Sequence, residues 1–249
     1  MIGNHNMPPP QRVAVVSGGS SGIGWAFVET LLDEGYLVYA CGRDAGRLAR
    51  LKHAFPTVEA VPCDVTDRGS VRAFVGTIRQ AHGHIHLLVS NAGGSREVDL
   101  ARLDLCADLT GEIRVNYEGA VNVIAECLPL LRAGAPSHLV IVGSGYGLVP
   151  SARVPLYSAS KAALRSLAKT LRRAWAPLAI TVTEVCPPVV DTPSVQHRQV
   201  RKMQPRDVVA QALAGARRGK ATVYPGETRY LPLLNRLAPT LAERIVAKS

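Results

Sequence analysis

Arg12–Ser17 (RVAVVS) is a compact β-branched run that ends directly on Gly18-Gly19-Ser20-Ser21-Gly22-Ile23-Gly24, and no other stretch restricts the fold as strongly. A short apolar run closed by glycines reads as a strand buried on both faces, as in a parallel sheet. Glycine suits the tight turn at Gly18, the approach of backbone to a pyrophosphate at Gly22, and the packing of helix on strand at Gly24. A helix beginning at Gly22 presents free N–H groups and a positive dipole end to such an anion. It is expected to run to about Glu34, with Gly35 as its C-terminal stop.

The alternation then repeats. Leu37–Cys41 reads as a strand, Ala45–Ala54 as a helix, Val58–Pro62 as a strand, and Asp67–Ala81 as a helix capped by Asp67. Ile85–Ser90 and His138–Gly143 are expected strands, separated by a helical region at Glu112–Leu131. Pro155–Trp175 follows as a helix, Ile180–Cys186 as a sixth strand and Ala221–Pro225 as the last, before an amphipathic stretch to Ala247. Strands alternating with helices imply βαβ units and a doubly wound parallel sheet. No linker-like stretch or repeat divides residues 12–249, so one domain is expected, preceded by a disordered tail, Met1–Gln11, that is polar and proline-rich and unlike a signal peptide.

Composition limits the alternatives. With 47% apolar and 19% charged residues among 249, the chain can bury a core, and no stretch approaches the roughly 20 apolar residues of a membrane span. The five cysteines (Cys41, Cys63, Cys106, Cys127 and Cys186) form no Cys-x-x-Cys pair, which argues against a disulfide framework or zinc site and for a reducing cytoplasm. The net charge of +10 suggests nucleic acid, but the basic residues are dispersed and aromatics reach only 5%, poor material for base stacking. A solvated basic surface is the simpler reading.

Ligands of open parallel sheets sit beyond the carboxyl ends of the strands. The second strand ends in Cys41-Gly42-Arg43-Asp44: Gly42 stands where an NAD site carries a carboxylate, and Arg43 offers a guanidinium to a 2′-phosphate. Asp44 could instead face the ribose. Asp64 and Val65 follow the third strand; Asn91, Ala92 and Gly93 follow the fourth. Tyr157 and Lys161 lie four residues apart on one helix face, where a cation favours phenolate and lowers the tyrosine pKa. Ser144 closes the fifth strand thirteen residues upstream of Tyr157, at the same edge.

Together these motifs resemble the short-chain dehydrogenase/reductase family over roughly Arg12–Thr192. The family's Thr-Gly-x-x-x-Gly-x-Gly turn is similar to Ser17–Gly24, its Asn-Asn-Ala-Gly motif to Ser90–Gly93, its structural asparagine to Asn116, and its serine–tyrosine–lysine set to Ser144, Tyr157 and Lys161. The resemblance implies a Rossmann-type three-layer α/β sandwich with a mostly parallel seven-stranded sheet. It implies a nicotinamide dinucleotide, NADP(H) rather than NAD(H) by the reading of Gly42 and Arg43 above, contacted by Gly18, Ser20, Ser21, Gly22, Ile23, Gly24, Arg43, Asp64, Val65, Asn91, Ala92, Gly93, Tyr157, Lys161, Val190 and Thr192. By the same resemblance, Tyr157 gives a proton to a substrate carbonyl and Ser144 orients that oxygen. Lys161 binds the nicotinamide ribose and depresses the Tyr157 pKa, and Asn116 holds a relay water.

Departures bear on the substrate. Pro187-Pro188 replaces the family's Pro-Gly, and with Asp191-Thr192-Pro193 it resembles the branch that reduces 3-ketosphinganine and related lipophilic ketones. A lid at about 193–205 carries His197, Arg198, Arg201 and Lys202, facing either solvent or an anion of cofactor or substrate. The expected activity is reversible, NADPH-dependent reduction of a ketone or aldehyde. A non-catalytic dinucleotide-binding regulator or redox sensor on the same fold is the alternative. Ala120, Ala125, Ala162, Ala163 and Ala168 suggest close pairing of two helices in a homodimer, whereas the family's tetramer-forming C-terminal segment is missing.

Overall fold

A computed structural model describes residues 11–98 and 110–247. The expected tail, apart from Gln11, and Cys106 lie outside the described residues. The seven strands are β1 (Val13–Ser17), β2 (Leu37–Gly42), β3 (Glu59–Pro62), β4 (Leu87–Ser90), β5 (Ser137–Val142), β6 (Ile180–Val185) and β7 (Thr222–Val223). They form one sheet in the order β3-β2-β1-β4-β5-β6-β7, and every pairing is parallel. The chain reverses direction across the sheet between β1 and β4, so their carboxyl ends flank the crevice of a doubly wound fold.

Side-chain alternation builds two cores from each strand. Val13 and Val15 face one side, joined by Phe74 of α3 (Arg68–Ala81), Ile124 of α5 (Gly119–Ala133) and Leu164 of α6 (Pro155–Trp175). Ala14 and Val16 face the other, covered by Phe27 of α1 (Gly22–Asp33), Leu51 of α2 (Ala45–Ala54) and Val209 of α7 (Pro205–Arg217). The result is the expected three-layer Rossmann-type sandwich.

Several local expectations change. The helix anticipated over Glu112–Leu131 is interrupted: α4 (Thr110–Ile113) leads into a π-helical turn at Arg114–Glu118, and α5 resumes at Gly119. The widened turn directs Asn116 fully inside. The segment after Pro205, given no element on sequence alone, forms α7; Val208, Val209, Ala212, Leu213 and Ala216 recur at helical spacing and are buried. The last strand shortens to two residues, and the amphipathic end becomes α8 (Leu231–Leu237) and α9 (Pro239–Val246). Of the five alanines expected to face a partner helix, Ala120 and Ala168 are buried in the core, while Ala125 and Ala162 are exposed. Among the described residues, no helix is long and apolar enough to cross a membrane.

At the amino ends of the central strands, histidines are stacked edge to face, with His84 and His86 ring centroids 4.8 Å apart. His86 Nδ1 accepts from the Val13 N–H at 3.1 Å, which requires a neutral ring nitrogen. Burial holds the pKa values of His82, His86 and His138 below the usual histidine range, helped by His84 at the first two and by Arg217 at His138. The unfolded chain therefore binds more protons below about pH 6.5, the ordinary histidine value, and stability is lost as pH falls through that window. We expect Tm to drop between about pH 7 and about pH 5, above the range where carboxylates titrate, and to drop less steeply in His86→Gln; thermal denaturation across pH measures both.

Candidate active site

The site begins where β1 and β4 end. The backbone N–H groups of Asn91 and Ala92 donate to Ser17 Oγ at 3.0 and 3.1 Å. Asn91 Nδ2 donates in turn to the carbonyls of Ser17 and Gly18 at 3.0 and 3.2 Å. These bonds lock the glycine-rich turn to the loop after β4. Gly18 and Gly22 adopt φ of 67° and 53°, in the left-handed region that glycine enters freely. A Cβ on Gly24 would lie 2.1 Å from the Gly18 carbonyl oxygen, so helix and turn touch as the sequence implied. The Ser21 side chain makes no capping bond and the first turn of α1 carries no acid, leaving N–H groups directed outward.

One cavity of about 1370 Å³ runs from this turn to the ends of β5 and β6. Gly18, Ser20, Ser21, Gly22, Ile23, Arg43, Val65, Asn91, Ala92, Gly93, Tyr157, Lys161, Val190 and Thr192 line it, together with Ser144. Gly24 lies behind the turn. Asp64 closes its own turn instead, Oδ1 accepting from the Thr66 N–H and hydroxyl at 2.9 and 2.8 Å. Although burial raises its pKa, those donors and the charges of Arg43 and Arg114 bring it below the usual carboxylate range. Asp44 caps α2, accepting from the Arg47 N–H at 2.9 Å, and pairs with the Arg47 guanidinium. Asp44 nevertheless lines the cavity beside Arg43, so the ribose role that the sequence left open stays open. Arg47 joins Arg43 at the cavity wall, a second cation that only the turn of α2 brings there.

At the other end, α6 presents Tyr157 and Lys161 together, the ammonium 5.4 Å from the centre of the phenol ring. Lys161 Nζ donates to the Val142 carbonyl at 2.7 Å. The direction of the tyrosine shift differs from expectation. Burial pushes the Tyr157 phenol up to about 12, outweighing the Ser144 hydroxyl bonded to it. Burial brings Lys161 down to about 8, against the opposing pull of Cys186 and Glu184. Desolvation disfavours both charged forms here, so the phenol holds its proton at neutral pH. Asn116, wholly buried, donates from Nδ2 to the Gly94 carbonyl at 2.9 Å and accepts from its N–H at 2.8 Å, fixing the wall beside Lys161.

Other contributors were not read from the sequence. Tyr146 stands edge-on to Tyr157, ring centroids 6.4 Å apart. Beneath the site, Arg165 bridges buried Glu184 at 3.1 Å and the Tyr224 hydroxyl at 2.7 Å. An acid within the apolar strand Ile180–Val185, and an arginine one turn past Lys161, are the signals that pointed to that pair. Finally, the basic segment after Thr192 divides: Arg201 projects into solvent and pairs with Glu227, whereas the Arg198 side chain is only 5% exposed.

The family model described as short chain dehydrogenase matches residues 12–203. An uncharacterized oxidoreductase of Bacillus subtilis, DltE, is 35% identical over 188 residues, covering 75% of this chain and 74% of that protein. An uncharacterized oxidoreductase of Staphylococcus saprophyticus is 32% identical over 210 residues, covering 81% and 89%. A short chain dehydrogenase from Burkholderia cenocepacia, solved in complex with NADP, superimposes with a TM-score of 0.85 at 26% identity, covering 95% of this chain and 97% of that one. The Pseudomonas aeruginosa RhlG/NADP active-site complex gives a TM-score of 0.78 at 26% identity, covering 86% and 94%.

The glycine contacts can be tested by stability alone. Gly24→Ala places a methyl against backbone that cannot yield, so it is expected to cost about 3 kcal/mol and lower Tm by roughly 6–12 °C. Gly76→Ala, in the middle of α3 with open space around it, is expected to raise Tm slightly.

Proposed function

The chain belongs to the short-chain dehydrogenase family, and from that premise we propose that it reduces ketone or aldehyde groups of small or lipophilic metabolites, reversibly, with NADP(H). The convergence of Ser144, Tyr157 and Lys161 in one cavity with the glycine-rich turn is the observation that carries this reading.

The residues present fit a dinucleotide. Side chains at Gly22 and Gly93 would collide with Thr192 and Asn116, so these glycines keep a groove open, and the uncapped start of α1 offers donors to a pyrophosphate. Arg43 and Arg47 on the cavity wall, with no carboxylate at Gly42, support a contact with a 2′-phosphate. Val190 and Thr192 close the groove opposite Gly22, at the start of a lid over about 193–205. When bound, the reduced cofactor supplies the hydride that reaches the carbonyl carbon.

Tyr157 gives its phenolic proton to the carbonyl oxygen, and its raised pKa keeps that proton available. Ser144 donates to the same oxygen and fixes its direction. Lys161 stabilises the phenolate left behind, and the proton is restored through Lys161 and a water held near Asn116. A homodimer through the outer faces of α5 and α6, where Ala125 and Ala162 are exposed, and a cytoplasmic location consistent with the buried free cysteines complete the reading.

Tyr157→Phe is expected to lower reduction of a ketone panel (lipid-, polyketide- and steroid-like) by at least about a hundredfold while NADPH still binds, measured by NADPH absorbance and by fluorescence titration. Normal rates in this variant would refute the assignment, and tight NADPH binding with no turnover of any carbonyl would favour the regulator. Arg43→Ala is expected to lower kcat/KM for NADPH about 10- to 100-fold and leave that for NADH nearly unchanged. A wild-type preference for NADH would remove the 2′-phosphate role.

A further inference from the structure

Arg198 is an unusual place for a charge. Its side chain is 5% exposed, yet it sits on a surface segment and lines the cavity shared with Tyr157. Nε donates to Glu97 Oε1 at 2.7 Å, and Nη1 donates to the Tyr146 hydroxyl at 3.3 Å. Nη2 has no hydrogen-bond partner among the described residues. Among the described residues the carboxylate partner of Arg198 is also shared, because Glu97 accepts from Arg153 at 3.1 Å and lies 3.5 Å from His197. One carboxylate therefore faces two guanidiniums. Nη2 is thus the donor left for a ligand, on a side chain that lines the cavity.

The direction of the guanidinium fork suits recognition. With Nε held by Glu97 and one Nη1 hydrogen shared with the Tyr146 hydroxyl, Nη2 and the second Nη1 hydrogen remain, and this edge can donate two parallel hydrogen bonds to a carboxylate or phosphate. Tyr146 sets the spacing: its hydroxyl touches Arg198 and its ring stands 6.4 Å, centre to centre, from that of Tyr157. Apolar wall from Leu231, Leu234 and Val246 belongs to the same cavity. We infer that Arg198 selects the substrate: a carbonyl compound bearing an anionic group a few carbons from the reacting carbon, with the anion on Arg198 and an aliphatic body along the C-terminal helices. This rests on the carbonyl-reductase reading above and narrows it to acidic substrates, with a carboxylate favoured because one guanidinium edge matches its single charge and two oxygens, whereas a phosphate monoester brings more charge and a third oxygen.

The test compares oxo acids of increasing chain length with their methyl esters and with phosphorylated hydroxyketones, using NADPH. Wild type is expected to prefer one acid over its ester about 10- to 100-fold in kcat/KM, mainly through KM. Arg198→Met should lower kcat/KM for the acid far more than for its ester and so abolish that preference, and Arg198→Lys should restore part of it. Higher kcat/KM for the phosphates than for the acids would assign the site to phosphate monoesters and overturn the carboxylate choice. If Arg198→Met weakens acid and ester equally, or raises the KM for NADPH, the residue latches the segment or serves the cofactor, and the inference fails while carbonyl reduction stands. Should no compound turn over, carboxylates are still expected to raise the Tm of the NADP⁺-loaded protein in wild type but not in Arg198→Met; the absence of that shift overturns the anion site independently of catalysis.

Discussion

The joint between β1 and β4 holds the site together. Two strands distant in sequence end side by side, and Ser17 and Asn91 tie them through four hydrogen bonds of 3.0–3.2 Å. In a doubly wound sheet the helices leave in opposite directions from this point, so the crevice is a product of topology. Those bonds fix its depth. They satisfy backbone groups that the splayed strands would otherwise leave unpaired, and they fix the glycine turn on one wall against Gly93 and Asn116 on the other. A serine replaces the family's threonine at the first position of the turn, and its hydroxyl does the joining.

Burial dominates the electrostatics deeper in the cleft. Lys161 and Tyr157 sit within one low-dielectric pocket, and desolvation moves each toward its neutral form, to about 8 and about 12. The Val142 carbonyl holds the ammonium and Ser144 holds the phenol, so neither polar head is stranded. Below them Arg165 and Glu184 form a buried pair that anchors α6 to β6. Removing one member would leave an uncompensated interior charge, which links the rigidity of α6 to a contact outside the cleft.

The +10 charge resolves into a few placed residues and a remainder. Arg43 and Arg47 stand at one end of the cavity, Lys161 at its centre and Arg198 at the other end. Much of the rest forms exposed ion pairs, such as Arg68 with Glu126 and Arg114 with Glu118, worth little individually in solvent. Total charge and local function are therefore only loosely connected in this chain.

The order of strands and helices, the glycine turn, and the set Asn116, Ser144, Tyr157 and Lys161 were legible because each is written within a short segment: a β-branched run, a helical period, a four-residue spacing. The π-helical turn around Asn116 was not legible, since it depends on how α5 meets the sheet. Nor was the fate of Asp44, Asp64 and Arg198, whose side chains could each have faced ligand, solvent or their own backbone. Sequence alone determined which chemical groups arrive at the carboxyl edge of the sheet. Only the tertiary structure decided which of them remain free to act there, because burial and competing hydrogen-bond partners are set by residues as far apart as Glu97 and Arg198.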